Sequence, residues 1–469
     1  MPIVPIAWTS LDEYVENLCE FISSPIARQI TGGIHVNDAL IHNAWATLPK
    51  EWTDWWSLFP HHRLAQQQLI DSIREEADRP EASSELDGMD SRPGQTPESL
   101  AAWLARLQQL ALPRTPREGP TTPLPEILTL RMTPKKIAEV SKVVAYIHSI
   151  CQRRSITRVV DMGAGQGYLS VSLAYLFPQL RVLSIDGSEA QVAGSRSFSG
   201  SLAISEHRLK HLVHWIDGSP ALAKQIEDWA DGQPCLLVGL HACGSLPETM
   251  LRYFTTVSCI DAVAVVGCCY NHIVPRSPSC PDGFPISSAL QRHNVVLSPT
   301  ALMAGCQAPN NWKRKSAQTM AAEEDSVFER RRLYRAILEK IFFDKGIPVA
   351  AGADGERPIW GIRKGDVASF TKFARRAMEC LQLGYETVPT AELVGYEERY
   401  KGCMGQISIL WTLGVLCCKV VESVIAVDRY CFLREQGARA VDIVPIFDVN
   451  ISPRNLMMVA EKEPNPNPL

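Results

Sequence analysis

The chain has 469 residues, a length that suits two or three segments, and 46% of them are hydrophobic, enough for a sizeable core. A net charge of −4 excludes a protein that coats nucleic acid through bulk positive charge, but not a local basic groove. Fourteen cysteines without disulfide-like spacing read as buried or reactive thiols in a reducing compartment.

The first residues, MPIVPIAWTSLDEY, lack a basic stretch followed by an apolar run, so no signal peptide is expected. Residues 9–75 read as helical, with Leu11, Tyr14, Leu18, Phe21 and Ile22 at helical spacing. Trp45, Trp52, Trp55, Trp56, Leu58 and Phe59 form an aromatic cluster, expected to build a small helical core or a docking face onto the main domain. Residues 76–97 are polar and acidic and read as a flexible linker. A short helix over 97–112 follows, then the Pro-rich PRTPREGPTTPLP. Met132 to Cys151 is a clear helix, with Thr133 as its cap, Pro134 in the first helical position, and a stripe of Ile137, Val140, Val144, Ile147 and Cys151. Lys135 and Lys136 oppose the helix dipole in the first turn. They read either as holders of an anionic group or as solvated lysines.

Thr157 to Asp186 reads TRVVDMGAGQGYLSVSLAYLFPQLRVLSID. A short β-branched run ends at Asp161, glycines follow at 163, 165 and 167, and an apolar helix leads to a second strand closed by Asp186. Such a unit holds a nucleoside cofactor: glycines let the backbone approach closely, and the closing acid accepts ribose hydroxyls. A dinucleotide fingerprint needs a third glycine where Tyr168 stands. The D-x-G-x-G-x-G pattern instead resembles the first motif of Rossmann-type S-adenosylmethionine methyltransferases. Further strands are expected over 211–215 before Asp217, 235–240 before HACG, 261–266 before GCCYN, and 442–447 and 456–461 around DVNISPRN, the last step giving an antiparallel edge strand. Between Tyr270 and Gly437 lies a helix-rich insertion with elements over 323–343, 368–381 and 408–436, the last read as a buried helix against the sheet. The longest apolar run, Ile407 to Cys418, is interrupted by Lys419 and falls short of the roughly 20 residues a membrane span needs, so a soluble cytoplasmic or nuclear protein without membrane contact is expected.

MTPKK (132–136), VGLHACGSL (238–246), VVGCCYN (265–271), RRRLYRAILEKI (330–341) and SPRNLMMVAEK (452–462) together resemble the methyltransferase-like protein 25 family, also called ribosomal RNA adenine dimethylase domain-containing. The resemblance runs from about residue 125 to the end of the chain. With the pattern above it implies an α/β fold: a doubly wound, Rossmann-like seven-stranded sheet with an antiparallel last strand, plus an N-terminal helical region and a large helical insertion. The expected segments are 1–75 helical, 76–124 linker with a short helix, and 125–469 methyltransferase domain, with the insertion at about 272–437. The implied cofactor is S-adenosylmethionine. Asp161, Gly163, Gly165 and Gly167 would hold its methionine part, Asp186 its ribose, and Asp217 would lie near adenine. Adenine N6-methyltransferases carry an Asn/Asp-Pro-Pro-aromatic string after the fourth strand, where this chain has His241-Ala242-Cys243-Gly244. That departure counts against an adenine dimethylase. HACG also resembles the HLCG string of eukaryotic tRNA 2′-O-methyltransferases, which keeps an RNA ribose target open.

Methyl transfer from a sulfonium is an in-line displacement in which the protein aligns the nucleophile and excludes water. Where the nucleophile carries a proton, a base helps. His241 is the candidate base, with a structural histidine as the bland alternative; Tyr270 and Asn271 are candidates to position the acceptor. His241, Cys243, Cys268, Cys269 and His272 converge at neighbouring strand ends, which invites a zinc reading. No C-x-x-C pair is present and the vicinal Cys268-Cys269 is an awkward chelate, so no metal is expected and the residues read as a polarizable pocket lining. Trp312 to Lys315, Arg330 to Arg332 and Arg335 offer positive charge for nucleic acid or a solvated helix face. The reading as a whole is an S-adenosylmethionine-dependent methyltransferase acting on RNA or protein. A small-molecule methyltransferase and a non-catalytic cofactor-fold scaffold are the alternatives. The sequence does not specify the acceptor or the oligomeric state.

Overall fold

Seven largely apolar segments become strands because both faces of the sheet they form are covered. In the computed structural model, described over residues 4–33, 35–73, 95–308, 326–348 and 360–463, they are β1 Arg158–Met162, β2 Arg181–Asp186, β3 Leu209–Val213, β4 Cys235–Ala242, β5 Ile260–Gly267, β6 Ala440–Pro445 and β7 Leu456–Glu461. They lie in the order β3-β2-β1-β4-β5-β7-β6. β1 to β5 run parallel, and β7 pairs antiparallel with both β5 and β6. The strand order reverses between the parallel neighbours β1 and β4, which opens a crevice at their carboxyl ends.

The antiparallel last strand is therefore present, but it is not an edge strand as expected. β7 is buried along Leu456–Ala460 and sits between two partners. β6 takes the edge, where the exposed Ala440, the half-buried Asp442 and Pro445 are tolerated.

The helix Pro134–Arg154 starts as its sequence dictates. Thr133 Oγ1 accepts from Lys136 N–H and Pro134 opens the first turn. Its stripe Val140, Val144 and Ile147 joins Leu169 and Leu173 of the helix Tyr168–Leu176 and Val159, Val182, Val238 and Ala264 of the strands in one core. On the opposite face the helix Leu246–Thr256 packs on β4 and β5, and the helix Cys418–Glu435 packs on β6 and β7.

By its contacts the chain forms two compact units, one of Met1–Ser23, Gln109–Asn310 and Cys418–Leu469, the other of Ser24–Gln108 and Asn311–Cys417. The first carries the sheet. In the second, the tryptophans form a helical core: Trp52 meets Trp56 edge-on at 6.1 Å and Trp103 at 5.7 Å, and Trp55 meets Phe59 at 4.9 Å. Three of the arginines expected to face nucleic acid or solvent, Arg331, Arg332 and Arg335, are engaged internally there. Arg332 lies 3.4 Å over the Trp411 ring, Arg335 3.2 Å over Trp360, and Arg331 donates to the Ile362 carbonyl. Trp312 to Lys315 lie outside the described residues, as does the start of the helix expected from 323, which is described as Val327–Asp344.

The helix expected over 408–436 is two helices, Met404–Leu416 and Cys418–Glu435. Among the described residues, the helical run Thr390–Glu435 contains an 18-residue stretch long and apolar enough to cross a membrane, with mean hydropathy 1.9. Of that stretch 78% is buried inside the protein, so core packing accounts for its apolar character.

Candidate functional site: the carboxyl edge of the sheet

After β1 the chain turns through Gly163, Gly165 and Gly167, at φ +71°, +55° and +74°, a region that side chains disfavour. Gly163 and Ala164 N–H both donate to the Ile185 carbonyl at 2.9 and 3.1 Å, which ties the turn to β2. A Cβ at Gly167 would lie 1.9 Å from Ser195 Oγ, so the turn also packs tightly against the helix Glu189–Ser201. A Cβ at Gly165 would meet nothing within 4 Å, so the backbone there faces open space.

Asp186 closes β2 beside this turn. Its Oδ2 accepts from Gly165 N–H at 2.8 Å and its Oδ1 from Ser188 N–H at 2.8 Å. Each carboxylate oxygen has a second lone pair, so both bonds leave capacity for a hydroxyl donor. The Trp215 side chain, 76% exposed, lies against Gly187, where a Cβ would come 2.7 Å from the ring. This exposed indole next to Asp186 was not singled out from sequence; an aromatic just past β3 was the available signal. Asp217 is exposed; the Ser219 hydroxyl, and Ser219 N–H at 2.9 Å from Oδ1, hold its carboxyl below the usual range.

Asp161 differs from the expectation that it holds the methionine part of a cofactor. It is fully buried and its Oδ2 accepts from Ser170 Oγ at 2.5 Å, so the carboxyl is turned toward the helix Tyr168–Leu176. Burial pushes it up to about 7, with the nearby Asp186 charge adding and the Ser170 hydrogen bond opposing. It anchors the turn from within.

Across the crevice, β4 and β5 are in register at Ala242 and Gly267, with an irregularity between Leu240 and Ala242. His241 occupies that bulge at φ +66°. The bulge re-aims its ring, and Nε2 lies 2.9 Å from Glu139 Oε2. Glu139 is 1% exposed; its Oε1 accepts from Ser452 Oγ at 2.7 Å, and Lys135 and Lys136 pair with it at 3.7 and 3.2 Å. Burial alone would raise this carboxyl. The hydrogen bonds and charge of His241, Ser452 and Lys136 instead hold it at about 2. Glu139 was missed because nothing local marks it. Its partners explain the two lysines that opposed the helix dipole: they neutralise a buried carboxylate one turn on.

Beyond the bulge, Cys243 Sγ lies 3.3 Å from Cys268 Sγ and 3.4 Å from Cys269 Sγ, and the latter two are 3.4 Å apart. The contact with Cys268 draws the Cys243 thiol down to about 6, against burial, with Cys269 and the charges of His241 and His272 adding. Gly244 lets the next turn approach: a Cβ there would come 2.7 Å from the His272 carbonyl oxygen. Tyr270, expected to position an acceptor, is instead buried. Its hydroxyl donates to Glu422 Oε1 at 2.6 Å, and burial, with the Glu422 charge, raises its pKa. Glu422 also pairs with Arg114 at 2.6 Å and Arg454 at 3.1 Å, a buried ionic cluster beneath the end of β5. Asn271 is half-buried and its Oδ1 accepts from Cys306 Sγ at 3.4 Å. Thus Gly163, Gly165, Gly167 and Asp186 come together on one side of the crevice, His241 stands across from them at the end of β4, and Tyr270 and Asp161 point into the protein.

A family model described as a methyltransferase domain matches residues 135–276, from the helix bearing Glu139 to just past β5. The human probable methyltransferase-like protein 25 is 29% identical over 259 residues, covering 52% of this chain and 38% of its own length. Its Mus musculus counterpart is 30% identical over 262 residues, covering 54% and 41%. The chain thus spans well under half the length of these curated relatives. Among solved structures, coclaurine N-methyltransferase bound to N-methylheliamine and SAH is 14% identical over 74% of this chain and 94% of its own, with a TM-score of 0.26. Magnesium protoporphyrin IX methyltransferase of Synechocystis, with bound SAH, is 15% identical over 30% of this chain and 57% of its own, with a TM-score of 0.22. The matched segment contains both sides of the crevice: residues 135–276 match a methyltransferase domain, and about half of this chain is similar to the methyltransferase-like protein 25 relatives.

Proposed function

We propose that this protein transfers a methyl group from S-adenosylmethionine to a macromolecular acceptor, RNA or protein. The observation that carries the reading is the Gly165–Asp186 pairing beside the β1/β4 crevice. A glycine backbone open to ligand and a carboxylate with spare lone pairs suit the amino-acid and ribose parts of that cofactor. The cofactor, when bound, supplies the electrophilic methyl group. The chain's own residues do the rest. Asp186 holds the ribose hydroxyls, and the backbone of the glycine turn lets the ligand approach. Trp215 offers an apolar face for the adenine ring, and Asp217 lies two residues beyond it.

His241 is the base. In the neutral form of the ring, Nε2–H donates to Glu139, which fixes the tautomer and leaves Nδ1 with the lone pair that takes a proton from the acceptor. Glu139 acts through His241 as a positioning residue. The macromolecular acceptor is supported by the likeness of His241-Ala242-Cys243-Gly244 to the string of tRNA ribose methyltransferases. The test is transfer of a labelled methyl group from S-adenosylmethionine to fractionated RNA, protein and metabolite pools. Label in RNA or protein that disappears with Asp186→Ala supports the reading. Label confined to metabolites contradicts the acceptor, and no label in any pool contradicts the transferase.

A further inference from the structure

We infer that Cys243, Cys268 and Cys269 form a thiolate site for one Zn²⁺ ion at the carboxyl ends of β4 and β5. Their sulfurs lie within 3.4 Å of one another, the one such metal-ligating group of three or more found among the described residues. The sequence argued against a metal because it holds no C-x-x-C pair and the vicinal Cys268-Cys269 is an awkward chelate. The fold removes that objection. β5 ends at Gly267, and Cys269 has φ −100° and ψ 73°, outside extended strand geometry, so the vicinal sulfurs turn to the same side.

Two further features hold the third sulfur beside them. The His241 bulge and the Ala242–Gly267 register bring Cys243 level with Cys268. Cys268 N–H donates to the Ala242 carbonyl and Gly244 N–H to the Cys269 carbonyl, both at 3.2 Å, which locks the two strand ends together. Gly244, at φ +57° and without room for a Cβ, is what allows that approach.

Zinc bonds thiolate sulfur at about 2.3 Å. An ion at that distance from three sulfurs this close would sit roughly 1 Å out of their plane, on one side. It would therefore be three-coordinate from the protein with a fourth position open, the arrangement that binds a solvent molecule or a ligand. Cys243 is exposed, so the ion has an entry path. Binding exchanges three thiol protons for Zn²⁺ with no change of oxidation state, and the protons leave to solvent. His241 is not in the set, because Glu139 holds its Nε2. The inference goes beyond the transferase reading and rests on sulfur geometry alone, so a chain that fails to transfer methyl groups can still bind zinc.

The test is metal binding by the full chain, purified anaerobically with a phosphine reductant and given one equivalent of Zn²⁺ or of Co²⁺ as a spectroscopic stand-in. Expected are about one tightly held zinc per chain and, with cobalt, thiolate-to-metal charge-transfer absorption. Cys243→Ser, Cys268→Ser and Cys269→Ser should each weaken affinity about 100-fold and reduce that absorption, while Cys280→Ser, in a separate loop, should change neither. Circular dichroism of each variant checks that it is folded. Wild-type protein that retains no zinc, or a cobalt spectrum without thiolate bands, overturns the inference whatever the variants do. So does equal loss in Cys280→Ser.

Discussion

On the β1–β2 side of the crevice the site is made of backbone. Gly163, Gly165 and Gly167 set its shape through positive φ angles, and Asp186 takes hold of it through a main-chain N–H. On the β4–β5 side it is made of side chains held by partners from distant segments. His241 leans on Glu139, Glu139 on Ser452, and Tyr270 on Glu422. The first side is a local device that a short stretch of sequence encodes whole. The second exists only once the sheet has closed and the helices Pro134–Arg154 and Cys418–Glu435 have docked. The two sides should therefore respond differently to mutation.

The largest expected effect lies under the β4–β5 side. Glu422→Ala leaves Arg114 and Arg454 buried without their carboxylate, and should cost about 3–5 kcal/mol in denaturant unfolding followed by tryptophan fluorescence. A loss below about 1 kcal/mol would mean that this side does not depend on its ionic support. Next, Glu139→Gln should slow methyl transfer by about 100-fold while leaving cofactor affinity within about twofold, because it removes the charge that orients His241 and nothing from the glycine turn. Equal losses in rate and affinity, measured by steady-state kinetics and calorimetry, would merge the two sides into one. The smallest effect separates two glycines. Gly244→Ala meets a backbone carbonyl as well as an unfavourable φ and should cost about 2–3 kcal/mol; Gly165→Ala meets only the φ penalty, about 1 kcal/mol. Similar melting temperatures for the two would show that the close packing at Gly244 is not needed.

What was legible in the sequence follows the same division. The glycine turn, the acids ending β1 and β2, the Thr133 cap and the seven strand positions all rest on local pattern, and the strands appear within two residues of where the pattern puts them at their starts. The placement of β7 between β5 and β6 was not legible, because adjacency in a sheet is decided by which strand can be covered on both faces. Nor was the inward turn of Asp161: a strand-end acid reads the same whether it meets a ligand or Ser170. Tyr270 failed for a related reason. A residue at a strand's end is expected to face the crevice, yet a buried carboxylate on a helix far along the chain claimed its hydroxyl. The bulge at His241 is also invisible beforehand, and it decides both the pairing with Glu139 and the meeting of the three cysteines.

Titration calorimetry of the full chain with S-adenosylmethionine shows whether the Gly165–Asp186 pairing is the cofactor's cradle. One-to-one binding by the wild-type chain is expected, with a loss of at least about tenfold in affinity in Asp186→Ala, whose fold is checked by circular dichroism. No binding by the wild-type chain, or unchanged affinity in a folded Asp186→Ala variant, would contradict it.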